Sequence, residues 1–127
     1  MTIADIAWAI EVADTPETRR IGLSDRDSMP ELSGMLFKFD QSISANFWMV
    51  GMKFPLDFVW ISEHCAVSEV MSYAPTLATS ERQFGVPTYQ SSVPSKYTLE
   101  INAGEAARYN IQPGDKVRFE GIDYSGC

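Results

Sequence analysis

Short apolar runs with a period of two, each cut off after a few residues by Gly, Pro, Asp or Ser, dominate this chain. Successive side chains of a strand point to opposite faces, so this pattern builds half-buried strands and leaves no room for long helices. Tyr97 to Ile101 alternates strictly, and Trp8, Ile10 and Val12 share one side of the segment Ile6 to Val12. Met35 to Phe39, Phe47 to Met52, Leu56 to Ile61, Ala66 to Tyr73 and Lys116 to Glu120 read as further strands. Ser62-Glu63-His64-Cys65 joins two of them as a hairpin. Helical signals are brief. Thr15 offers an N-cap oxygen, Pro16 suits the first helical position and Gly22 the C-terminal turn, which predicts a helix from Pro16 to Ile21. A second is expected from Gly104 to Tyr109. Between Ala74 and Ser95, Pro75, Pro87, Pro94 and Gly85 predict a long loop of the kind that is either functional or mobile. The expected fold is α+β, mostly β, with two short helices and a curved or barrel-like sheet of about seven strands.

At 127 residues the chain suits one domain spanning residues 1–127. Its 45% hydrophobic and 12% aromatic content is that of a chain that folds. The formal net charge of −7 repels polyphosphates, so no nucleic-acid partner is expected. Arg19, Arg20 and Arg26 form the densest basic group, and Glu17, Asp25 and Asp27 offset it, as on a solvated helix face. No apolar run approaches membrane-spanning length, so membrane insertion is not expected. Met1-Thr2-Ile3-Ala4-Asp5 lacks the features of an export signal, which reads as cytoplasmic as written, or periplasmic or exported if a signal was removed. The two cysteines, Cys65 and Cys127, read as free thiols.

Several segments taken in order carry a resemblance. Val12-Ala13-Asp14-Thr15-Pro16-Glu17 with Arg20 and Gly22-Leu23, Gly34-Met35-Leu36-Phe37, Phe47-Trp48-Met49 and Pro55-Leu56-Asp57 are followed by Tyr89 with Ser91, Tyr97 to Gly104, Ile111, Gly114-Asp115 and Val117. Together they resemble the DUF192 (UPF0127) family of uncharacterised proteins over nearly the whole chain. The resemblance implies a small α+β domain with a curved or barrel-like sheet, often carried behind an export signal, and no established biochemical role. Val50-Gly51-Met52 stands where the family commonly has Lys-Asn-Thr, and Thr76 and Val86 stand where many members place a cysteine pair. Glu105 to Phe119 is also similar to the helix, Pro-Gly-Asp turn and strand of double-psi-type barrels, an analogy of fold only.

No hydrolase elbow, phosphate loop or dinucleotide fingerprint occurs, so no catalytic residue is assigned and no cofactor is expected. Met35, Trp48, Met49 and Met52 could suggest a metal-handling protein with a copper(I) site, but thioethers and aromatics at strand positions suit a core, and no metal ligand is assigned. His64 and Cys65 offer two possible ligands at the hairpin tip, but adjacent residues there rarely serve one metal, and they read as a solvated turn. The remaining polar set is Asp57, Tyr89, Ser91, Glu100 and Asn102, with Trp48 beside it. These six are the candidate binding residues. The leading reading is a non-enzymatic accessory module that binds a small ligand or a protein segment. Its rival is an acid-base enzyme using Asp57 and Glu100 as a carboxylate pair.

Overall fold

The computed structural model describes residues 1–77 and 85–120. Its elements, in chain order, are strands β1 (Thr2–Ile3), β2 (Ile6–Ala7) and β3 (Ala9–Ala13), helix α1 (Pro16–Ile21), strands β4 (Ser33–Ile43), β5 (Phe47–Trp48), β6 (Leu56–Ile61), β7 (Val67–Ala74), β8 (Thr88–Tyr89) and β9 (Ser95–Asn102), helix α2 (Glu105–Arg108) and strand β10 (Val117–Arg118). The α+β, mostly β class is as expected. Five strands form the main sheet in the order β3-β4-β9-β6-β7, with β10-β1-β2 and β5-β8 as smaller sheets. None of the three closes into a barrel. β3 and β4 run parallel across the α1 crossover, and the other neighbours are antiparallel.

The central strands have apolar cover on both faces. Val59, Ile61, Tyr97, Leu99 and Ile101 join Ile3, Trp8, Ala106, Ile111 and Val117 in one core. On the other face Leu56, Phe58 and Trp60 meet Met35, Phe37, Leu23 and Met49. This explains why Leu56 to Ile61 is an almost unbroken apolar run: all six residues of β6 are buried. Met35 and Met49 are core side chains, 7% and 1% exposed, as expected for thioethers that fill an irregular interior.

Boundaries depart from expectation where tertiary contacts intervene. Ile6 to Val12 splits at Trp8, whose N–H donates to the Met1 carbonyl while its own carbonyl accepts from the N-terminal ammonium. β2 therefore pairs with β1, and β3 with β4. Phe47 to Met52 yields only the two residues of β5, because Gly51 turns the chain at a φ of 81°. The predicted loop contains β8, which pairs with β5; its residues 78–84 lie outside the described part. α1 is as read, with Thr15 and Thr18 forming a reciprocal cap.

Cys65 corrects the free-thiol reading: it is disulfide-bonded. The other cysteine of the chain, Cys127, lies outside the described residues. The sequence missed the bond because two cysteines far apart in the chain show no spacing pattern. Among the described residues no helix is long and apolar enough to cross a membrane.

β9 packs tightly against β4 at Gly34, where a Cβ would lie 2.7 Å from the Glu100 carbonyl oxygen and 3.0 Å from the Leu99 and Ile101 side chains. Gly34→Ala should destabilise the protein by about 1–3 kcal/mol through overpacking. The check is the urea midpoint at unchanged slope, and an unmoved midpoint would show that the two strands can separate freely there.

Candidate functional site

Antiparallel partners directly opposite each other share a face, and Glu100 of β9 lies between Met35 of β4 and Phe58 of β6. The Glu100 side chain therefore enters the Phe37–Phe58 side of the sheet. It is 5% exposed and has no hydrogen-bond partner among the described residues. Loss of hydration with nothing in exchange disfavours the charged form, and burial pushes its pKa up to about 8.

Glu100 is not sealed in. It lines a cleft of about 450 Å³, within the size range of small-molecule sites. The walls come from two segments. One is the end of α1 and the turn after it, with Arg20, Ile21, Gly22 and Asp25; the other is the stretch around β5, with Asn46, Phe47, Trp48 and Gly51. Gly22, at a φ of 52°, ends α1 against the Phe37 ring, and the Asp25 N–H donates to the Gly51 carbonyl at 3.1 Å, joining the two walls. Trp48, 58% exposed, stands at the opening.

The arginine group, read as one solvated face, splits three ways. Arg19 lies over the Phe39 ring and donates to the Lys38 carbonyl, and Arg26 pairs with Glu11 at 2.6 Å. Arg20 has no ion-pair or hydrogen-bond partner among the described residues and lines the cleft. Sequence reasoning missed it, together with Asp25, Asn46 and the two turn glycines. The only signal was that Arg20 and Gly22 belong to the segments that carry the family resemblance; Asp25, Asn46 and Gly51 had none.

Of the six sequence candidates, the cleft brings together Trp48 and Glu100. Asp57 lies elsewhere. It stands opposite Ile101, one residue out of step with the Phe58–Glu100 pair, and so faces the other side of the sheet. The expectation of an Asp57–Glu100 carboxylate pair is thereby corrected: the two are neighbours along the ladder but are separated by the sheet. Asp57 is fully buried; Oδ1 accepts from the Tyr73 N–H at 2.8 Å, and Oδ2 from the N–H groups of Gly104 and Ala106 at 3.1 and 3.0 Å. It thus holds the start of α2 and the Tyr73 backbone, which has a φ of 62°.

Tyr89 stacks on Phe58 at 5.4 Å, behind the cleft rather than in its lining. The Ser91 hydroxyl, buried, donates to the Val93 carbonyl and secures the turn into β9. Asn102 donates to the carbonyls of Met29 and Pro30 and so anchors the segment that precedes β4. Among the described residues no group of three or more His, Cys, Asp or Glu is placed to hold a metal ion.

A family model described as "Uncharacterized ACR", DUF192, matches residues 1–119. The chain belongs to the DUF192 family. Two solved structures resemble this DUF192 chain. One is a candidate transcription regulator from Sinorhizobium meliloti 1021, 29% identical, with a TM-score of 0.78 and coverage of 89% of this chain and 82% of that one. The other is a protein of unknown function from Novosphingobium aromaticivorans DSM 12444, also 29% identical, with a TM-score of 0.78 and coverage of 88% and 75%. No curated protein matches. The DUF192 family has no assigned function, and neither structure supplies a specific one.

Two substitutions separate the carboxylates. Asp57→Asn presents an amide N–H to donors that Oδ2 now satisfies, and should cost about 2–4 kcal/mol in a denaturant titration. A loss below about 0.5 kcal/mol would show that Asp57 is dispensable for the fold. Glu100 has its folded pKa raised above its unfolded value, so it takes nothing from stability below about pH 4.5, and its ionisation progressively destabilises the fold as pH rises to about 8. Glu100→Gln should therefore be at least as stable as the parent at pH 8 and should flatten the fall in stability between pH 5 and 8. An unchanged pH slope would show that Glu100 does not titrate in this range.

Proposed function

We propose that this DUF192 domain is a non-enzymatic small-ligand-binding module and that the cleft over Glu100 is its site. The observation that carries this reading is a carboxyl group buried to 5% exposure, open to a cleft and without a hydrogen bond among the described residues. A buried polar group is normally paired, and an exception in a concave site leaves its bonding capacity for an incoming molecule. The lining supports the same reading, because Phe37, Phe47 and Trp48 supply aromatic surface while Arg20 supplies a cation with no ion-pair partner among the described residues. Some of the segments that carry the family resemblance, with Arg20, Gly22-Leu23, Phe37 and Phe47-Trp48, line this cleft.

A second reading is proton-transfer catalysis by Glu100 alone, favoured by a pKa near working pH. Binding is preferred, because proton transfer to a substrate needs a second group held in place and Arg20, Asp25 and Asn46 are all exposed. The description of the Sinorhizobium meliloti relative suggests a role in transcription. A net charge of −7 argues against direct contact with duplex DNA, so any such role here would act through the ligand or another protein. The disulfide at Cys65 supports an oxidising compartment, where such bonds persist.

Trp48 is exposed while Trp8 and Trp60 are 3% and 2% exposed, so a ligand in the cleft should report through Trp48 emission. In a screen of small aromatic fragments of each charge type, binders should change that emission and shift the backbone amide resonances of Gly22, Trp48 and Gly51. Trp48→Ala should weaken binding about tenfold or more, as expected for an aromatic anchor, with little change in melting temperature. Fragments that shift only resonances outside the cleft would overturn the assignment, and turnover of any bound fragment would favour catalysis instead.

A further inference from the structure

Resting on the reading of this cleft as a ligand site, we infer that its ligand is a small organic ammonium ion, with the charged head on the Glu100 carboxylate and an apolar body against Phe47 and Trp48. The floor decides the sign of the charge. Glu100 is the ionisable group there, and its flanking neighbours in the sheet, Met35 and Phe58, bring no donor. A carboxylate accepts hydrogen bonds, and an ammonium head supplies three donors together with the opposite charge. A ligand carboxylate in the same place would find no cation at the floor, since Arg20 sits exposed on the wall. The aromatic walls suit the apolar body of such a ligand, which they can bury against Phe47 and Trp48. The protein as a whole favours the same sign of ligand charge, since its net charge of −7 concentrates cations near its clefts.

The charged groups that face the cleft beside Glu100 are Arg20 from the end of α1 and Asp25 from the turn that follows. Both are exposed, and the strands packed against Glu100 present Met35, Phe37 and Phe58, which carry no charge. Arg20 at the rim would favour a ligand that also carries an anionic group at its far end, as a small zwitterion does.

Binding has a balanced proton ledger. The neutral Glu100 carboxyl loses its proton to solvent, the ammonium keeps all of its own, and an ion pair forms in the cleft. Because the carboxyl titrates near pH 8, its ionised fraction rises steeply below that value and so must the affinity. An increase of about tenfold is expected from pH 6 to pH 7, flattening above about pH 8.

The test uses the unmodified protein and three matched probes: phenethylammonium, 2-phenylethanol and 3-phenylpropionate. Calorimetry from pH 6 to 8 in two buffers of different ionisation enthalpy gives affinity and proton release together. The ammonium should bind at least about tenfold more tightly than the other two at pH 8, gain affinity as pH rises and release close to one proton at pH 6. Glu100→Gln should erase the preference and the pH dependence while still folding, and the wild-type pH profile carries the test even if that variant does not fold. Tightest binding by 3-phenylpropionate, affinity that falls with pH, or ammonium binding without proton release would overturn the inference while leaving the cleft a ligand site. Failure of all three probes to perturb Trp48 would overturn the inference together with the site.

Discussion

Burial of both faces of the β6–β9 pair is the constraint on which the rest of this structure depends. A strand pair inside a sheet that is covered above and below gives no side chain access to water by default. Each polar group on it must be matched by protein or left with unmet bonding capacity. Asp57 and Glu100 are the two outcomes. Asp57 meets three backbone N–H groups and becomes part of the scaffold, whereas Glu100 meets Met35, Phe58 and an opening. The same chemical group is thus structural on one face and available on the other.

The opening over Glu100 exists because the chain leaves the main sheet twice on that side. The parallel β3–β4 connection needs a crossover, and α1 supplies it, ending at Gly22 against Phe37. The segment around β5 forms its own two-stranded pairing with β8 and then turns at Gly51. The Asp25–Gly51 hydrogen bond ties the two excursions together beside the cleft. A hydrophobic wall, an exposed tryptophan and one carboxyl at the floor follow from that opening.

Legibility in the sequence varied with the range of the forces involved. The β6–β7 hairpin, α1 and β9 were readable, since their signals are alternation, caps and turn residues within a few positions. β8 was not, because the Pro-rich composition around Thr88 and Tyr89 reads as loop while its pairing with Phe47 and Trp48 is a long-range event. The break at Trp8 and the early end of β5 have the same origin. Among the candidate residues, Ser91, Asn102 and Asp57 have their side chains engaged by backbone groups, the bland role that short polar side chains at turns usually play. Arg20 was hidden inside a charge cluster whose members the fold sends to different partners.

The sequence by itself determined that this chain makes strands with two short helices, that it repels polyanions, and that it belongs with DUF192, because periodicity, charge and ordered motifs are properties of residues close together along the chain. Only the tertiary structure decided which carboxylate would be satisfied and which would face a cleft. The two Oδ2 donors of Asp57 lie 47 and 49 residues away, and the neighbours that strip water from Glu100 come from two other strands. A shift of one position along either β6 or β9 alone would bring the two carboxylates to the same face, and that register is set by the packing of the whole sheet.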